Sequence, residues 1–324
     1  MANREFSDKY TKYNMDTFSG RVRYWTECIN PLLLLENERS LQKHQMLLDR
    51  WKSGEKGLAN ADLWAARRAV EQCIHPTSGD VIPPLFRMSA FLPMNFLIVP
   101  TMMAPATLTS VPRTMFIQWF NQTFNAAVNY ANRSSDKQPM SEIGKAYGVA
   151  VTVACGGSLV ATNMLKKLPS GTVKATIIRG TVPFIAVSTA SVLNLAFMRK
   201  NEWMSGGKGI KVKDEDGTVR GESISAGRDS LAKCSATRII WNLPCMVLPT
   251  LFMVPLASIP AIRAHPLVTE TALQMLGLTL GVPPALAAFN INQTIGATSL
   301  EKEFQNLKRK DGTPVTTFSY YKGV

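Results

Sequence analysis

Charged residues are scarce in this sequence, and so are histidine and paired cysteine. Asp, Glu, Lys and Arg make up 18% of the 324 residues, against about a quarter in water-soluble proteins. The deficit is uneven: charge vanishes for long stretches and crowds together elsewhere. That pattern suits one multi-helix membrane body with polar ends better than two soluble domains. Three histidines, His44, His75 and His265, leave few ligands for a metal cluster, so neither a metal nor a cofactor is expected. The five cysteines are odd in number, irregularly spaced and free of any C-x-x-C pair, which argues against a disulfide framework and a zinc site. No G-x-S-x-G, H-E-x-x-H, P-loop or G-x-G-x-x-G after a strand occurs, so an enzyme is not expected. The net charge is +13, yet no block of five cations exists; the densest is Lys308, Arg309 and Lys310. Nucleic acid is therefore not an expected partner. Residues 1–10 lack the apolar core of a signal peptide, and Glu5 and Asp8 oppose a cleaved transit peptide.

What the sequence does contain is a series of charge-free windows. A spanning helix needs about 20 mostly apolar residues, and five windows qualify: 88–112, 146–165, 180–198, 239–262 and 272–292. Arg87, Arg113, Lys145, Lys166, Arg179, Arg199, Arg238 and Arg263 bound the first four, as expected where cations reach for headgroups. A single window could be a buried soluble helix; five together are hard to reconcile with a soluble core. Prolines interrupt several of them: Pro93, Pro100 and Pro105 in the first, Pro244, Pro249, Pro255 and Pro260 in the fourth, and Pro283-Pro284 with Gly277 and Gly281 in the fifth. Each proline frees a carbonyl that must find a neighbour or a wet cavity. Ordinary kinks and solute sites at broken helices both follow from that. Lysine and arginine divide evenly between the two sides of a five-span chain, so charge does not orient it.

The expected fold is an all-α, polytopic membrane bundle of about five transmembrane helices. Residues 1–86 form an amphipathic, peripheral helical segment, with helices over 40–51 and 61–73 and Asn60 as a cap of the second. Residues 87–300 form the membrane domain and 301–324 a C-terminal tail. Residues 210–220 read as a small β-hairpin turning at Asp216-Gly217. Gly217 follows Asp214 too closely for a calcium loop.

One uncharged stretch, 114–132, differs from the rest. It mixes Phe116, Trp119, Phe120, Phe124 and Val128 with Asn121, Gln122, Asn125, Asn129 and Asn132, and Arg133 follows it. At helical pitch it is an amphipathic polar helix that cannot face lipid all round. Neutral amides can hold both ends of a zwitterion, with N–H to a carboxylate and C=O to an ammonium. They can equally bond helix to helix. The five windows hold no carboxylate, lysine, arginine or histidine, which favours movement of a neutral solute down its gradient over proton coupling. A further candidate, His75-Pro-Thr-Ser-Gly-Asp80, is either a solute contact or a turn that delivers the chain to the membrane.

These residues also carry a family resemblance. Asp16-Thr-Phe-Ser-Gly-Arg21 is similar to T-F-x-G-R, and Asn30-Pro31-Leu32 follows it. Arg87-Met-Ser-Ala90 with Pro93-Met-Asn95 resembles R-M-S-A-x-x-P-M-N. Asn121-Gln122, Phe124-Asn-Ala126, Asn129-Tyr130 and Asn132-Arg133 resemble N-Q-S-F-N-A-x-x-N-Y-x-N-R. Val182-Pro-Phe184, Met198-Arg199, Gly221-Glu-Ser223 and Thr298-Ser-Leu-Glu301 extend the likeness over nearly the whole chain. The family is that of the sideroflexins, also called tricarboxylate carriers. The resemblance implies about five spans in the mitochondrial inner membrane and transport of serine, with alanine, glycine or cysteine as further solutes, supplying one-carbon metabolism. The candidate solute contacts are Asn121, Gln122, Asn125, Asn129, Asn132, Arg133, His75 and Asn95, and the expected partners are a small zwitterionic amino acid and the lipid bilayer. Two departures stand out: Thr77 and Asp80 replace Asp and Glu in H-P-D-T-G-E, and Asn290-Ile-Asn-Gln293 stands where the family has F-P-Q. The older family name implies a rival, a carrier of carboxylates or an iron-linked metabolite. A membrane scaffold without flux is the other.

Overall fold

The structure, a computed structural model, describes residues 5–75, 79–108, 110–131, 140–166 and 173–323. The N-terminal part holds α1 (Phe18–Cys28), α2 (Glu38–Lys52) and α3 (Asn60–Cys73). Thr17 caps α1 by accepting from the Gly20 amide at 3.2 Å, and Asn37 and Ser40 cap α2 reciprocally. Asn60 is not a cap; it is the first residue of α3, and Ala59 before it gives no side-chain bond.

The helical body follows: α4 (Phe91–Met103), α5 (Pro105–Leu108), α6 (Val111–Ala131), α7 (Met140–Lys166) and α8 (Val173–Met198). The first charge-free window is thus not one helix. Ala104 is extended at ψ 134°, because a residue before proline is pushed out of the helical region. Beyond α8 come α9 (Lys200–Trp203), the strands β1 (Ile210–Lys213) and β2 (Val219–Ser223), then α10 (Ile224–Leu256), α11 (Pro260–Ala264) and α12 (Pro266–Ala287). The fifth window ends as a helix at Ala287, and β3 (Asn292–Gly296) begins inside its expected range.

The chain is mostly helical, but not all-α with a lone hairpin. The expected hairpin is present, with Gly217 at φ +78° in its turn, a conformation that suits glycine. It is half of an antiparallel four-stranded sheet in the order β2-β1-β4-β3, where β4 is Thr317–Tyr321. Residues 302–323 are therefore no loose tail. Val212, Ala226, Leu300, Phe304, Val315, Phe318 and Tyr320 form one core beneath the sheet. Glu215 clasps the start of β4, accepting from the Thr316 and Thr317 amides at 3.1 and 2.9 Å and from Arg309 at 3.0 Å. The Arg309 guanidinium holds the Glu215 carboxyl well below the usual carboxylate range.

Two contacts join the parts. Trp25 and Cys28 of α1 and Ile29 just after it share a core with Leu92 of α4 and with Met275, Leu278, Val282 and Leu286 of α12. Arg21 donates to the Ala287 carbonyl at 2.7 Å, capping the end of α12 where carbonyls lack helical partners. The closer contact is between α10 and α12. A Cβ at Gly277 would lie 2.6 Å from the Pro244 carbonyl oxygen, and one at Gly281 would lie 2.8 Å from Pro244 Cγ. Glycines four apart on α12 let it close on the backbone of α10 at its proline.

Among the described residues one helix is long and apolar enough to cross a membrane, Ile224–Met253. Only 19% of its most apolar window is buried, whereas the core helix of a soluble protein would be mostly buried. Shorter apolar stretches run Met88–Met102, Tyr147–Val160 and Val187–Met198. Large apolar side chains face outward along the body, including Phe116 at 61%, Leu251 at 61% and Leu280 at 60% exposure. Arg87, expected at a membrane boundary reaching for headgroups, is instead 1% exposed. Its guanidinium donates to the carbonyls of Ile82, Leu33 and Glu36 at 2.8–2.9 Å, staples the 3-10 turn Pro31–Leu35 to the segment entering α4, and so spends its donors inside.

Replacing Gly277 with Leu should separate α10 from α12. We expect a loss of at least about 1–3 kcal/mol, the range for overpacking, read as a lowered unfolding midpoint in detergent. Gly148→Ala on α7, where a Cβ meets nothing within 4 Å and the backbone is helical, should move the same midpoint much less.

Candidate functional site

The amide-rich stretch is fully helical where it is described. At about 100° per residue, Gln118, Asn121, Gln122, Asn125 and Asn129 fall on one side of α6. Ile117, Phe124 and Val128 occupy the neighbouring side and are buried; Phe124 and Val128 pack on Ile98 of α4, with Met88, Met94 and Met102 around them. Phe116, Trp119 and Phe120 point outward. The sorting into faces is sharper than the composition suggested.

On its other flank α6 meets α7 through polar bonds. Gln118 Nε2 donates to Ser158 Oγ at 3.3 Å, and Thr123 Oγ1 and the Tyr147 hydroxyl share a 2.7 Å bond. The amide face therefore lies between the α4 contact and the α7 contact. Asn121, Gln122 and Asn125 are each half-buried there, and Asn125 Nδ2 donates to Asn121 Oδ1 at 3.3 Å. Among the described residues that single long bond leaves one N–H of Asn125 and both N–H groups of Asn121 for other uses, since each amide carries two donors and two lone pairs.

Of the other candidates, Asn95 lies on α4, whose Ile98 faces α6. Its Nδ2 donates back to the Phe91 carbonyl at 2.7 Å. His75 belongs to the N-terminal part and is 5% exposed. It closes a short antiparallel turn, with its N–H donating to the Asp80 carbonyl at 2.8 Å and Ile74 bridging Val81. Only the backbone of Asn129 is described, and Asn132 and Arg133 lie outside the described residues, as do residues 76–78.

Cysteine nucleophiles find no support in the N-terminal part. Burial pushes the Cys28 thiol up to about 12 and the Cys73 thiol up to about 11, so neither is a thiolate at neutral pH. Sequence reasoning missed two groups of residues. Gln118, Thr123 and Tyr147 form the α6–α7 bonds, and Gln118 and Thr123 lie within or beside the amide string where a pairing role was legible. Arg199, Arg238 and Lys322 converge near the sheet; the first two sit at the edges of charge-free windows, and the side chains that meet Lys322 from α10, Ser230 and Cys234, lie about 90 residues away.

A family model described as Sideroflexins matches residues 8–324. The chain is 33% identical to a sideroflexin of Dictyostelium discoideum over 98% of each chain. It is 32% identical to sideroflexin-5 of Homo sapiens over 97% of this chain and 91% of that one, and 30% identical to sideroflexin-1 of Mus musculus over 98% and 97%. No solved structure matches it.

Removing the cross-helix bond with Thr123→Val or Tyr147→Phe should lower stability by about 1 kcal/mol each. The double variant should lose less than the sum of the two in thermal unfolding, with the amide face left in place.

Proposed function

The chain belongs to the sideroflexin family, and on that premise we propose that it is a multi-pass carrier in the mitochondrial inner membrane that moves serine or a similar small neutral amino acid, supplying one-carbon metabolism. The observation that carries this reading is the half-buried amide face of α6, held between α4 and α7 with spare donors and acceptors and no net charge. A zwitterion needs a donor for its carboxylate and an acceptor for its ammonium, and a primary amide offers both. Neutral groups keep the desolvation cost of an empty site low. Asn121, Gln122, Asn125 and Asn129 would make the polar contacts, with Asn95 opposite and Arg133 as a partner for the carboxylate. His75 would serve as a turn rather than a contact.

The five-span reading belongs to the same proposal. α7 has 27 residues, α8 26 and α12 22. At about 1.5 Å per residue all three exceed the roughly 30 Å of hydrocarbon. With α10 and the broken pair α4–α5 they make five crossings. The outward-facing apolar side chains support lipid contact, since soluble monomers seldom expose so much contiguous apolar surface. A helix broken at Ala104–Pro105 leaves carbonyls that a solute or water could use.

A scaffold without flux is the second reading, and one observation favours it: Gln118 and Thr123 are already bonded to α7, as structural glue would be. The two readings separate on Asn125. With purified chain in liposomes, radiolabelled serine should enter faster than into empty vesicles. Asn125→Leu should cut that uptake about three- to tenfold, the equivalent of one lost hydrogen bond, with the unfolding midpoint nearly unchanged. A folded protein without uptake sinks the carrier reading; a lowered midpoint with normal uptake favours the scaffold.

A further inference from the structure

The end of α8, the start of α10 and the end of β4 meet at a cluster of cations. Arg199, just past α8, turns inward and is 14% exposed at its side chain. Its Nε donates to Glu202 at 2.7 Å, one Nη to the Cys234 sulfur at 3.3 Å and the other to Ser230 Oγ at 2.8 Å. Ser230 in turn donates to the Lys322 carbonyl at 2.7 Å. Lys322 is 1% exposed, and its ammonium has the Cys234 thiol at 3.9 Å. Arg238 stands one turn above Cys234 on α10, over the Trp241 ring at 5.6 Å. Its Nε is buried and has no hydrogen-bond partner among the described residues.

The charges do not balance. Arg199 and Arg238 both lie close enough to Lys322 to act on it electrostatically. Glu202 answers Arg199 alone. The nearby Asp229 is taken by Lys233 at 2.7 Å and by the Tyr320 hydroxyl. Lys322 and Arg238 are left without a carboxylate among the described residues. Buried charges are ordinarily paired, because an uncompensated one forfeits its hydration for nothing. Burial accordingly lowers the proton affinity of Lys322. A guanidinium has no such escape, because it stays charged in proteins. The buried, unbonded Nε–H of the partly exposed Arg238 and the buried Lys322 ammonium are therefore donors awaiting an acceptor.

We propose that Arg238 and Lys322, held in place by Arg199, form a binding site for an oxyanion where the helical body meets the sheet. The fitting chemistry is a phosphate or carboxylate group, from a free anion or from an anionic lipid headgroup. This site is separate from the amide face of α6 and does not depend on which solute is carried.

The test uses the full chain. Its unfolding midpoint is measured in detergent with inorganic phosphate or acetate against chloride at equal ionic strength, and in nanodiscs of neutral lipid with and without an anionic phospholipid. Phosphate or acetate, or the anionic lipid, should raise the midpoint by several degrees; the arm that responds identifies the source. Lys322→Gln should remove the response while being at least as stable as the wild type in chloride, because it deletes an unpaired charge. Lys322→Arg, which keeps the charge, should retain the response, and Arg238→Gln should weaken it at least tenfold in anion concentration. The proposal is overturned if no arm shifts the wild type, if Lys322→Gln responds equally, or if only millimolar-insensitive, adventitious ion effects shared by all variants appear.

Discussion

The approach of α12 to the Pro244 turn of α10 is the contact on which both ends of the molecule hang. Pro244 contributes no N–H to its helix, and Gly277 and Gly281 contribute no side chain to theirs, so the two backbones meet at a separation that any Cβ would prevent. From α12 the chain passes directly to β3, while α1 docks on its outer side through Trp25, Cys28 and the Arg21 bond to Ala287. From α10 the chain leads back through Ser223 to the hairpin, and Ser223 accepts from the Ala226 amide as its cap. The sheet is thereby set at one end of the pair. The crossing is backed on one side by the Arg87 bonds that tie the N-terminal turn to the segment entering α4, and on the other by the Ser230 bond from α10 to the Lys322 carbonyl.

The polar groups sort by how they are satisfied. Arg87 spends its donors on three backbone carbonyls and ties turns together. Gln118 and Thr123 spend theirs on α7. Asn121 and Asn125 spend only part of theirs on each other. A buried polar group with spare capacity costs free energy unless something occupies it, and this distinguishes the middle of α6 from the structural bonds around it. Its neutrality fits a solute that carries both charges itself.

Much of this was legible in the sequence where the signal is local. Charge-free runs, helical periodicity at 40–51 and 61–73, the Asp216-Gly217 turn and the amide string each sit within a short window, and the structure has helices or a hairpin at those places. The failures are non-local. β3 and β4 are separated by about 20 residues of irregular chain, so no turn signal announced their pairing, and 301–324 read as a tail. Arg87 and Arg199 sat at the edges of apolar runs, where composition says headgroup; their inward rotation depends on the carbonyls of Leu33 and Glu36 and on Cys234 and Ser230, more than 30 residues distant. Gly277 and Gly281 were visible as helix breakers, but their role lies in the helix opposite.

The account rests on lipid, rather than water, covering the outward-facing apolar side chains of α6, α10 and α12. Spin labels at Phe120, Leu251 and Leu280, each placed singly in a chain without other reactive thiols and reconstituted in bilayers, measure this directly through collisions with oxygen and with a water-soluble nickel complex. The account predicts high oxygen and low nickel accessibility at all three, and the reverse for a label at Glu303 beside the sheet. Nickel accessibility at Leu251 and Leu280 equal to that at Glu303 would contradict it.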